Sequence, residues 1–115
     1  MLFKKKNTIE KITLYMGLND KDTKQQKFTK VESYKLLESI LKIKGIDATV
    51  SEATGLYTHD DGTLVIEESM RIEILFFQKS KTNKTRVLDL IATLKKAFNQ
   101  ESIAMQQESI NSQLV

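Results

Sequence analysis

Residues 48–77, ATVSEATGLYTHDDGTLVIEESMRIEILFF, decide the fold. In the second half the even positions Leu64, Ile66, Met70, Ile72, Ile74 and Phe76 are apolar, interrupted by Glu68, and Glu67, Ser69, Arg71 and Glu73 alternate with them. A period of two over that length predicts a half-buried strand. In the first half Ala48, Val50 and Leu56 also fall on even numbers. The turn must therefore keep even residues opposite even ones, because a one-residue slip would move one apolar set into water. A two-residue Asp61-Gly62 loop mixes the faces, whereas a three-residue Asp60-Asp61-Gly62 loop does not. It also puts Gly62 at the left-handed position that closes a type I turn with a bulge, where the missing Cβ removes the steric penalty. The predicted pairs are Leu56 with Ile66, Thr54 with Glu68, Glu52 with Met70, Val50 with Ile72 and Ala48 with Ile74.

Upstream, Ile12, Leu14, Met16 and Leu18 alternate with Thr13 and Tyr15, giving a first strand from about Lys11 to Leu18. Residues 1–10 read as a flexible lead-in. The charged segment Asn19 to Lys27 has no apolar anchor and reads as a mobile loop, long enough to act as a flap. Thr29-Lys30-Val31-Glu32 fits a capping box, so a helix begins near Lys30, with Tyr34, Leu37, Ile40 and Leu41 on its inner stripe and Gly45-Ile46 at its end. After the hairpin, Val87, Leu90, Ile91, Leu94 and Phe98 recur at helical spacing. Ile103 and Met105 suggest a last strand from about Ser102 to Gln107, leaving 108–115 as a tail that is either disordered or a short edge strand on a neighbour.

Strand, helix, strand, strand, helix, strand is the split βαβ plan of an α+β, ferredoxin-like βαββαβ domain over 11–107, with a four-stranded antiparallel sheet, two helices on one face and an extended central hairpin. The first strand has room for roughly eight residues, typical of globular sheets, while the hairpin arms run longer. The hairpin then outruns its own sheet, and its tip is apolar on both faces at Leu56, Tyr57, Leu64, Val65 and Ile66. Another subunit is expected to cover these residues, in a trimer or a dimer-built assembly.

At 115 residues the chain is one domain that can bury a core without staples. It has no cysteine and one histidine, which excludes disulfides, thiolate zinc sites and a multi-histidine metal site within one chain. No cofactor and no metal are expected. The net charge of +3 gathers in Lys4-Lys5-Lys6 and around Lys79, Lys81, Lys84 and Lys95-Lys96, which is compatible with an anionic ligand. The aromatic-interleaved basic patches of RNA readers are missing, so nucleic acid is not an expected partner. Polar Asn7-Thr8 follows where a signal peptide needs an apolar run, no membrane span is visible, and the expected location is cytoplasmic.

Leu14-Tyr15-Met16-Gly17-Leu18, Gly55-Leu56-Tyr57 before the acid-rich turn, Gly62, Glu68-Ser69 and Phe98-Asn99-Gln100-Glu101-Ser102-Ile103 resemble an uncharacterised bacterial family of short α+β domains. That resemblance implies the fold and transfers no catalytic residue. At the level of fold the long hairpin is similar to the PII nitrogen-regulatory and CutA copper-tolerance proteins. The resemblance implies trimers and, on the PII side, nucleotide binding between subunits, although fold alone does not fix function.

Glu52 and Glu68 break the apolar even face, and a carboxylate buried there would pair or shift its pKa, which makes them the candidate acid or base of an enzyme; on a strand that has left its sheet they instead reach solvent or meet Arg71 or a lysine of another chain. Tyr15, Tyr57 and Thr58 supply outward hydroxyls, and Lys79, Lys81 and Arg86 a basic flank, for an intersubunit pocket that takes a small anionic ligand. His59-Asp60-Asp61 reads as turn chemistry, because aspartate bonds its own backbone there. No serine sits in a glycine elbow, and the four glycines form no phosphate loop or dinucleotide fingerprint. The leading expectation is a non-enzymatic, PII-like homo-oligomer that senses or sequesters an anionic ligand, with a nucleotide as the preferred class. The alternatives are an enzyme using Glu52 or Glu68 in an intersubunit cleft and a structural, partner-binding accessory protein.

Overall fold

The computed structural model describes residues 8–78 and 80–115. Six elements follow in order: β1 (Thr8–Gly17), α1 (Lys30–Lys44), β2 (Thr49–Thr58), β3 (Leu64–Phe76), α2 (Thr82–Ala97) and β4 (Ala104–Asn111). The sheet order is β2-β3-β1-β4, every neighbouring pair antiparallel, and the plan is ferredoxin-like α+β. Among the described residues no helix is long and apolar enough to cross a membrane.

The period-two pattern sets which face is covered. Ile12, Leu14 and Met16 of β1 and Met70, Ile72 and Ile74 of β3 are buried against Leu37, Ile40 and Leu41 of α1 and Val87, Leu90 and Leu94 of α2. The odd positions of β1, β2 and β3 line the opposite, open face, where the Lys11 ammonium lies 3.0 Å from Glu73 and the Arg71 guanidinium also pairs with Glu73. Thr29 and Glu32 form the capping box of α1, at 3.1 Å for the hydroxyl and 2.9 Å for the carboxylate.

The hairpin register is the one the apolar pattern requires, with Leu56 opposite Ile66 and Val50 opposite Ile72. His59 N–H donates to Thr63 O and Gly62 N–H to His59 O, both at 2.9 Å, and Gly62 takes φ +87, a conformation that disfavours any side chain. The β1 pairing ends at Gly17 opposite Ser69, with one further bond from Leu18 N–H to Glu68 O. Beyond that point, among the described residues, the hairpin pairs only with itself and projects, and the molecule measures 62 × 31 × 24 Å. Its radius of gyration is 16.4 Å, against about 13 Å for a compact chain of this length. At the projecting end Leu56, Leu64 and Ile66 share the even face and stay between 59% and 67% exposed, while Tyr57 and Val65 lie on the odd face.

Two boundaries and the state of one loop differ from the sequence reading. Thr8, Ile9 and Glu10 belong to β1 rather than to a lead-in, since Thr8 is opposite Asn111 and Glu10 opposite Phe76; residues 1–7 lie outside the described residues. β4 runs on through Glu108 to Asn111 against β1 of its own chain, so this part of the tail is an edge of its own sheet. Its Gln106-Gln107-Glu108-Ser109 run is polar on both faces, and backbone pairing with β1, joined by the Gln107–Glu10 and Lys11–Glu108 contacts, defines it. The loop after Leu18, expected to be mobile for want of an apolar anchor, is held instead by polar bonds, described next.

A candidate active site on the open face of the sheet

Glu67 is an odd residue of β3, and strand alternation turns it away from the core onto the open face. Gly55 is its partner on β2, so no side chain stands opposite it. At the end of β1, Gly17 has no Cβ, and one placed there would overlap the Glu67 carboxylate. Gly17 thus gives this carboxylate its seat. Asn19 N–H donates to Glu67 Oε2 at 2.8 Å, and Oε1, lying over Gly17, makes no hydrogen bond among the described residues.

Glu67 borders a cleft of about 430 Å³, within the range that holds small molecules. Glu67, Gly17 and Asn19 form one wall, Tyr57, His59 and Val65 of the hairpin a second, and Gln100, Glu101 and Ser102 between α2 and β4 a third. The Tyr57 ring stands edge-on to His59, centroids 5.6 Å apart. Burial, and secondarily the negative charge of Glu67, push the Tyr57 hydroxyl above its ordinary pKa, so it remains an O–H donor.

Asp20 fixes the rim. Its Oδ1 accepts from Asp22 N–H at 2.8 Å and Thr23 N–H at 3.0 Å, and its Oδ2 from Asn99 Nδ2 at 2.8 Å. These bonds, led by the Asn99 amide, lower the carboxyl to about 2. Lys21 N–H donates to Asn99 O at 3.0 Å, and Gln100 Nε2 to Asn19 O at 2.7 Å. The expected flap is therefore stapled to the loop before β4.

Glu52 and Glu68 sit on the other, helix-side face, where they line a second cleft of about 350 Å³ with Lys30 and Tyr34. Both are exposed because the hairpin has left the sheet there. Glu52 pairs with the Lys30 ammonium at 3.1 Å, a contact that raises the lysine, and Glu68 accepts from Gln26 Nε2 at 2.8 Å. The exposure expected where the strand leaves its sheet is found, and the burial that an acid–base role requires is not.

The proposed ligand set is not brought together either. Tyr57 lines the open-face cleft, but Tyr15 lies farther along the sheet opposite Arg71, and Thr58 is an exposed even residue opposite Leu64. Lys81 lies by Glu10, toward the far end of β1, roughly 23 Å of strand from Gly17. Arg86 donates to Gly45 O at 2.7 Å, and Lys79 lies outside the described residues. Glu67, Gly17, Asn19 and Asn99 were missed as site residues. The signal for them was present: the predicted register already set Gly55 opposite Glu67, and Gly17 falls on the same odd face.

Fold and site together define a ferredoxin-like domain with a carboxylate-bearing cleft on the open side of its sheet. The family model described as "Protein of unknown function (DUF3574)" matches residues 11–113, and the chain belongs to this family. Among solved structures it is similar to a phage SAM lyase in complex with S-methyl-5′-thioadenosine, at 28% identity over 97% of this chain and 95% of that one, TM-score 0.67. The apo state of a phage SAM lyase matches at 26% identity over 100% and 98%, TM-score 0.69. The ATP complex of Bacillus subtilis GlnK, at 15% identity over 92% and 84% and TM-score 0.55, and CutA from Synechococcus elongatus, at 9% over 91% and 79% and TM-score 0.55, share the fold alone. Among curated proteins none matches the chain. The lyase matches overturn the expectation of a non-enzymatic, PII-like sensing or sequestering protein and favour an enzyme. That expectation rests on a fold-level likeness to PII, which carries no chemistry.

Proposed function

We propose that this chain is a lyase for a sulfonium substrate of the S-adenosylmethionine class, releasing S-methyl-5′-thioadenosine from the open-face cleft. The observation that carries the proposal is the 28% identity, over 97% of the chain, to a lyase bound to that thioether. Three of the separate stretches by which the sequence resembles its family, around Gly17, Tyr57 and Gln100-Glu101-Ser102, line this one cleft.

The chemistry balances without water or a proton acceptor. An oxygen of the substrate's own carboxylate attacks its γ-carbon, the carbon–sulfur bond breaks, and the electron pair goes to sulfur. The sulfonium becomes a neutral thioether and the four-carbon remainder closes to a lactone. Opposite charges cancel along this path, so a water-poor cleft favours it over bulk solvent. Glu67 Oε1 binds the substrate ammonium and turns the substrate carboxylate toward the γ-carbon, a gain of orientation. The Tyr57 ring faces the sulfonium as a cation–π partner.

Within the same reading, residues 8–111 act as a single domain, the location is cytoplasmic, and copies associate through the exposed hairpin patch of Leu56, Leu64 and Ile66. The test is to incubate purified protein with S-adenosylmethionine and resolve the products by mass spectrometry. Equal amounts of S-methyl-5′-thioadenosine and lactone, formed far faster than in buffer, are expected, and uncharged S-adenosylhomocysteine is left intact. Product formation at the rate of the buffer control overturns the proposal.

A further inference from the structure

Among the described residues the Glu67 carboxylate is held by a single donor, Asn19 N–H, and that donor belongs to a loop with no apolar anchor. Asp20 caps the loop from within, Gln100 Nε2 holds Asn19 O at 2.7 Å, and the widest grip on the loop comes from Asn99, at the far end of the sequence. Asn99 lies 79 positions from Asp20. Its side-chain amide donates to Asp20 Oδ2 at 2.8 Å and to Asp22 Oδ2 at 2.9 Å, and its carbonyl accepts from Lys21 N–H at 3.0 Å. One residue thereby grips three consecutive loop residues, directly after Asn19. Asn99 itself takes φ +49, a left-handed conformation that asparagine adopts more readily than most residues. Both hydrogens of its amide are used on carboxylates, so the grip is charge-assisted.

We infer that Asn99 is a positioning residue: through Asp20 it sets the Asn19 N–H that aims the Glu67 carboxylate into the cleft. The inference rests on the lyase reading for its effect on turnover and on geometry alone for its effect on Glu67. Asn99 touches no substrate. It acts on where Glu67 points, so its loss lowers kcat more than it weakens binding.

The left-handed backbone makes Asn99→Gly a clean probe, because glycine keeps the conformation and removes only the amide. In the intact wild-type chain, Glu67→Gln shifts the Asn19 amide resonance, since the two are bonded. In the Asn99→Gly background the same Glu67→Gln change is expected to leave that resonance almost unmoved, while circular dichroism stays native. Turnover of S-adenosylmethionine is expected to fall about tenfold with KM within about threefold. Asn99→Asp sets a third carboxylate against Asp20 and Asp22 and is expected to be worse. Adding Asp20→Asn restores a donor–acceptor pair with its direction reversed, and activity returns in part, because Asp22 still meets a carboxylate. The inference is overturned if Asn19 and Glu67 stay coupled in Asn99→Gly, or if the exchanged pair is no better than Asn99→Asp. Should the wild type lack lyase activity, the lyase reading fails, and the resonance experiment still decides the role of Asn99.

Discussion

Two clefts flank the root of the β2–β3 hairpin, one on each side of the sheet, and they hold their carboxylates in opposite ways. On the helix side Glu52 and Glu68 reach solvent and are met by the ends of flexible side chains, Lys30 and Gln26. On the open side Glu67 lies in a seat left by the missing side chain of Gly17 and is bonded by the backbone N–H of Asn19, whose loop is tied down at the rim. Exposed ion pairs contribute little to stability and position nothing firmly. The comparison teaches that a carboxylate's capacity for chemistry here follows from what is fixed around it, and not from its standing on an otherwise apolar face.

The largest separation between the two sides is expected from charge removal. Glu67→Gln should lower turnover of S-adenosylmethionine by about a hundredfold, while Glu52→Gln and Glu68→Gln should each change it less than about threefold. Steady-state rates for the three variants check this, and equal losses would erase the distinction between the clefts. Next comes the seat itself. Gly17→Ala puts a methyl group where the Glu67 carboxylate lies, and a loss of about tenfold in kcat with native circular dichroism is the expected result.

Acid sharpens the comparison from the side of the rim. Asp20 is lowered from 3.8 to about 2 in the folded chain. A carboxyl whose folded pKa is depressed adds stability above its unfolded value, and that contribution is lost as pH falls through the folded one. The loop should therefore loosen between about pH 4 and pH 2, read as faster exchange of the Asn19 amide, and Asp20→Asn should remove this dependence. A smaller effect is expected at the hairpin tip. Leu56→Ser with Ile66→Ser should lower the mass measured by light scattering, with the melting temperature of the fold little changed, because both side chains are already about two-thirds exposed. Smallest of all, Lys30→Met should leave the melting temperature within about 2 °C of wild type, since it breaks only an exposed pair with Glu52.

Much of the fold was legible because it is carried by local signals. Even-numbered apolar residues set the hairpin register, Gly62 sets the turn, and Thr29 with Glu32 marks the start of α1. β4 was half missed because Gln106-Gln107-Glu108 shows no alternation, and only its pairing with β1 makes it a strand. The site was harder to see for a physical reason. Glu52 and Glu68 attracted notice by breaking a pattern, whereas Glu67 obeyed it, as a polar residue on a polar face. The loop that holds Glu67 is tied across the chain by Asn99 and Gln100, and bonds spanning 79 residues or more leave no periodic trace. Tyr57 was the one ligand-set residue placed in the open-face cleft, picked as a hydroxyl and ring on an outward position.

The most direct test of the central claim is to titrate S-methyl-5′-thioadenosine into isotope-labelled protein and follow every backbone amide. The account predicts shifts concentrated at Gly17, Tyr57, Glu67 and Glu101 on the open face. Shifts confined to Lys30, Glu52 and Glu68 on the helix side, or none at any concentration, would contradict it.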